Sequence, residues 1–114
     1  MAPSVAQALV MVDELIVCGV TDVVMGVGSR SAPLALALAS AEDRGEIRLH
    51  IRVEHRVPRI IKKKQGKTTG VPAAVVTTSG SAVANLLPAV VEAHESRIPL
   101  VVLTADRPDR LRNV

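Results

Sequence analysis

Four short clusters in this 114-residue chain carry side chains of the kinds that hold small molecules. Each follows an apolar run: Gly28-Ser29-Arg30, Glu54-His55-Arg56, Thr78-Ser79-Gly80 and Asp106-Arg107. An arginine offers a planar guanidinium that can grip a carboxylate through two parallel hydrogen bonds, although an arginine met singly is more often a solvated surface charge. Thr78, Ser79 and Gly80 fall between a strand-like run and a helix-like one, where free backbone N–H groups and small side chains suit an anion or a closely approaching ring. They also read as a plain helix cap with a glycine easing the turn, and the two readings are compatible.

Other combinations carry less. His50, His55 and His94 lack the spacing of a metal site, and Ser79, His55 and Asp106 have no local signature of a nucleophilic triad, so no metal ligand is assigned. Cys18 is the only cysteine. That excludes an internal disulfide and fits a reducing compartment, and the residue is expected to be small, buried and inert.

The elements that must position the clusters follow from periodicity. Ser4 and Gln7 read as a capping box, and Val5, Leu9, Val12 and Ile16 recur at helical spacing until Gly19, which predicts a helix over about residues 5–18. Val23 to Val27 is short, apolar and β-branched, as a strand buried on both faces should be. Ser31 can cap a second helix with Pro33 in its first turn, continuing through Leu34 to Ala41. From Ile47 to Val53 apolar residues alternate with Arg48, His50 and Arg52, giving a strand with one apolar and one basic face, suited to a sheet edge.

Ala73 to Thr77 and Leu100 to Thr104 are two further strands. They flank a helix that starts near Ser81, bears Val83, Leu86, Leu87, Val90 and Val91, and should kink at Pro88. Between Val57 and Pro72, Arg59, Lys62, Lys63, Lys64 and Lys67 leave only Ile60 and Ile61 as an apolar patch, so a connecting helix there would be short and solvated. Strands alternating with helices predict an α/β three-layer sandwich, a mainly parallel sheet with helices on both faces, forming a single domain over residues 1–114. Ligands of such sheets sit beyond the carboxyl ends of the strands, where the four clusters fall.

Composition removes several function classes. Apolar residues make up 48% of the chain, yet none is Phe, Trp or Tyr, so the stacking platforms of single-strand nucleic-acid binders are missing. A net charge of +3 is modest beside real nucleic-acid binders. Acidic residues interrupt the apolar stretches before membrane-spanning length. No nucleic acid and no membrane partner is expected, and a cytoplasmic location is.

Read in register with these strands, four blocks resemble one family. They are Gly28-Ser29-Arg30 with Ala32-Pro33-Leu34, Thr78-Ser79-Gly80 with Ala82-Val83-Ala84-Asn85-Leu86, Pro88-Ala89-Val90-Val91-Glu92-Ala93, and Ala105-Asp106-Arg107-Pro108. Gln7, Asp13, Glu14 and Leu15 of the opening helix fit as well. Together they resemble the N-terminal, pyrimidine-binding domain of 2-succinyl-5-enolpyruvyl-6-hydroxy-3-cyclohexene-1-carboxylate synthase, a thiamine-diphosphate enzyme of menaquinone biosynthesis. The likeness covers nearly the whole chain but only about the opening fifth of a family member.

The resemblance implies a transferase chemistry that uses thiamine diphosphate and Mg2+ to decarboxylate 2-oxoglutarate and add the product to isochorismate. Members are homodimers or homotetramers whose first domain receives the aminopyrimidine ring, while a different domain of the partner subunit grips the diphosphate through the metal. Carried over residue by residue, Thr78, Ser79 and Gly80 face the cofactor ring, and Ser29, Arg30 and Arg107 lie near the substrate carboxylates. His55 takes the position of the glutamate that hydrogen-bonds the ring and activates the cofactor.

That last match is a departure. Neighbouring side chains at a strand end point in different directions, so Glu54 does not replace the missing acid. A one-residue slip would bring Glu54 in, but it would flip the apolar face of Ile47, Leu49, Ile51 and Val53. Val27 and Ser31 stand where the family has proline and asparagine. Lysines 62–64 replace a helix of small and apolar residues that pairs subunits. The expectation is a detached or engineered domain, monomeric, not retaining the cofactor by itself and inactive alone. Alternatives are a non-catalytic stand-alone α/β domain, or a dinucleotide-binding domain read from Gly26, Gly28 and Ser31 with Glu54, whose third glycine is missing.

Overall fold

A computed structural model describes residues 3–26, 32–51, 59–60, 71–77 and 81–105. Helix α1 spans Pro3–Val17, strand β1 Asp22–Met25, helix α2 Ala32–Asp43, strand β2 Arg48–Ile51 and strand β3 Ala73–Thr77. The short helix α3, Ser81–Ala84, is followed by α4, Leu87–Glu95, and by strand β4, Leu100–Thr104. All four strands are parallel, in the order β2-β1-β3-β4. The α/β sandwich read from the alternation of strands and helices is the architecture found.

The chain starts the sheet in its interior. It leaves β1 through α2 to reach β2 on one side, then returns to place β3 on the other. Crossovers of one hand running in opposite directions put their helices on opposite faces. Accordingly, α1 and α2 pack one face, where Ala8, Val12, Leu15, Ala37, Leu38 and Ala41 meet Val23, Ile47, Ala74 and Val76. On the other face Leu86, at the N-cap of α4, and Ala89 and Ala93 within it join Ile60 to meet Val24, Ala73 and Val75. Alternate residues of β1 and β3 serve opposite faces, as a pleated strand buried on both sides requires.

Several expectations shift in detail. Helix α1 begins at Pro3, so Ser4 and Gln7 both lie within it and the capping box is not what starts it. A proline without an N–H is well placed there, because the first turn leaves that donor unused. Pro33 opens α2 in the same manner. The helix expected to kink at Pro88 is instead two helices. Leu86 donates its N–H to Val83 in a turn, and a fresh ladder begins with Val90 donating to Leu86. Pro88 sits in the first turn of α4, the one place where its missing donor and ring cause no conflict.

The buried face of α4 is Leu86, Ala89 and Ala93, whereas Val83, Leu87, Val90 and Val91 of the expected apolar set face outward. Arg59 and Ile60 are helical, and Ile60 is buried, so at that point the segment is not merely solvated. Cys18 is exposed, not buried. It follows the last turn of α1, and its thiol lies 3.8 Å from Oε1 of Glu14.

Helices α1, α2 and α4 end alike. Val20 donates to Leu15, Glu46 to Ala41 and Ile98 to Ala93, each closing a helix across a residue of positive φ. Those residues are Gly19 at 89°, Gly45 at 76° and, unusually, Arg97 at 55°.

Candidate functional site

Parallel pairing brings all carboxyl ends of the strands to one edge of the sheet. Met25 of β1 is level with Ile51 of β2 and Val76 of β3, and Thr77 of β3 is level with Thr104 of β4. The register continues one step beyond the strands: Gly26 donates its N–H to the Val76 carbonyl at 2.7 Å, and Ala105 donates to the Thr77 carbonyl at 3.0 Å. Because β1 is followed by β2 on one side and β3 on the other, the strand order reverses between β1 and β3. Helices leaving such a point diverge to opposite faces and open a crevice, the usual place for a ligand in an open α/β sheet.

The predicted site residues follow these ends in sequence. Ser29 and Arg30 come three and four residues after Gly26, His55 four after Ile51, Thr78 directly after Thr77, and Arg107 two after Ala105. Ser29, Arg30, His55, Thr78, Ser79, Gly80 and Arg107 themselves lie outside the described residues, as does Glu54. The structure therefore fixes the strand ends from which all seven depart, and those ends are neighbours.

Thr77, a residue the sequence reading treated only as the end of a strand, is the polar group the structure adds. It is 1% exposed in a strand whose other members are Ala73, Ala74, Val75 and Val76, and it lies on the side of Ala73 and Val75. Its Oγ1 is fully enclosed and has no hydrogen-bond partner among the described residues. The available signal was a hydroxyl closing an otherwise apolar central strand. A buried hydroxyl left without a partner costs about 1–3 kcal/mol, which sets Thr77 apart from the apolar residues that precede it in β3.

Away from this edge, polar contacts are structural. His50 Nε2 lies 3.0 Å from Asp22 Oδ1, joining β2 to β1 on a partly buried face. The basic face predicted for this strand thus meets an acid at the start of β1. The outer edge of β2 is covered by α2, whose Glu42 carboxylate accepts the Leu49 N–H at 2.7 Å. Leu49 packs against the first cluster. The register of β2 is thereby pinned from both sides, and Leu49 keeps the inward side expected of it.

At the opposite end of the sheet, Arg44 is hydrogen-bonded by Glu46 and held above its ordinary value. Among the described residues no group of three or more His, Cys, Asp or Glu is placed to hold a metal ion, and no helix is long and apolar enough to cross a membrane.

Comparison with known proteins agrees with this geometry. The family model described as thiamine pyrophosphate enzyme, N-terminal TPP binding domain, matches residues 5–113. A 2-succinyl-5-enolpyruvyl-6-hydroxy-3-cyclohexene-1-carboxylate synthase from Leifsonia xyli subsp. xyli is 54% identical over 112 residues, which are 98% of this chain and 19% of that protein. Proteins of the same name from Mycobacterium avium and Nocardia farcinica are 54% and 53% identical, over 97% and 95% of this chain and 20% of each relative. The chain spans about a fifth of the length of the curated relatives it matches. A match of this extent sets aside the dinucleotide-binding alternative, which accounted for neither Thr78 to Leu86 nor Asp106 to Pro108. With four parallel strand ends along one edge of the sheet and a match running from residue 5 to residue 113, the chain belongs to the thiamine pyrophosphate enzyme family, as its N-terminal TPP binding domain.

Proposed function

We propose that this chain is the ring-binding half of a thiamine-diphosphate synthase site of menaquinone biosynthesis and that it does not turn over alone. The observation that carries the reading is the convergence of β1, β2, β3 and β4 on one edge, in a family member whose named relatives are such synthases. In this reading the turn Thr78, Ser79 and Gly80 receives the aminopyrimidine through backbone N–H groups and small side chains. Arg30 and Arg107, with Ser29 beside the first, hold the carboxylates of 2-oxoglutarate and isochorismate by paired hydrogen bonds. When bound, the cofactor supplies the chemistry that decarboxylates the 2-oxo acid and transfers the remainder.

The residues of this chain bind and orient. His55 stands at the position of the proton-handling carboxyl, and an imidazole cannot supply the same charge to the ring. The register of β2 through Ile51, held by the Asp22 to Met25 pairing and the Glu42 contact, supports the reading that Glu54 does not take the place of that acid. Mg2+ and the diphosphate are held by a different domain of the family-length protein, so this chain retains only the ring half, weakly. At roughly 0.3 kcal/mol per atom, a ring of this size gives an affinity on the order of millimolar or weaker. Alone the chain is monomeric and, in the cell, cytoplasmic.

The test is direct. The chain mixed with 2-oxoglutarate, isochorismate, thiamine diphosphate and magnesium should release no succinyl-transfer product. Turnover above the protein-free control would contradict the reading.

A further inference from the structure

We draw no further inference here: the strongest candidate, the outward apolar stripe of Val83, Leu87, Val90 and Val91 along α3 and α4, carries nothing because nothing in the structure shows what covers it.

Discussion

The two faces of the sheet are built on different terms. On the face of α1 and α2, branched side chains from both helices interlock with Val23, Ile47 and Val76, and Leu38 and Val12 are fully enclosed. On the other face α4 lies against the strands through Leu86 and two alanines, Ala89 and Ala93, over Ala73 and Val75. Small residues let a helix approach closely but fill little volume. The larger side chains of that helix point away, with Leu87 at 65% and Val91 at 51% exposure. Among the described residues the first face is thus the larger core, and the second a smaller contact in which Ile60, Ile98 and Leu100 join α4.

The largest expected effect tests the larger core. Leu38→Ala should destabilise the chain by about 3–5 kcal/mol, because an enclosed leucine leaves a cavity that a core of interlocked branched residues cannot refill. A denaturant titration checks it, and a loss near 1 kcal/mol would erase the contrast between the faces. Next comes the smaller contact. Ala89→Leu should cost about 1–3 kcal/mol by forcing α4 off the strands. A neutral result in the same titration would mean that α4 rides loosely and that closeness is not what its alanines secure.

The smaller effects sharpen the picture at the ends and outside of α4. Arg97 occupies a left-handed position that glycine fills in the matching ends of α1 and α2, so Arg97→Gly should raise stability by about 0.5–1 kcal/mol, read as a higher melting temperature. Leu87→Gln and Val91→Gln should each change stability by about 0.5 kcal/mol or less, since neither side chain is buried in the free chain.

Much of the fold was legible because strands of this parallel sheet are written as short continuous apolar runs. Ala73 to Thr77 and Leu100 to Thr104 are continuous apolar runs closed by threonine, and both are strands over the residues expected. The alternation of Arg48, Leu49, His50 and Ile51 placed β2 at an edge, where it lies. Legibility failed where small residues do the packing. Valines and leucines near Pro88 drew attention, yet Ala89 and Ala93 were buried in their place, because a close helix approach selects for lack of volume and leaves no hydrophobic signal. Thr77 was missed for a related reason: its burial follows from its place in a central strand, which residue type alone does not reveal. Of the candidate site, the order of strand ends was readable from motifs, and the structure makes those ends neighbours. Ser29, Arg30, His55, Thr78, Ser79, Gly80 and Arg107 themselves lie outside the described residues.

The central claim, a half-site that needs other domains to close around the cofactor, is tested most directly by sedimentation equilibrium of the purified chain with and without thiamine diphosphate and magnesium. The account predicts the mass of a single 12.0 kDa chain in both conditions. A dimer strengthened by cofactor would contradict it, showing that two copies of this domain close a site between themselves and that His55 works in the place of the family's acid.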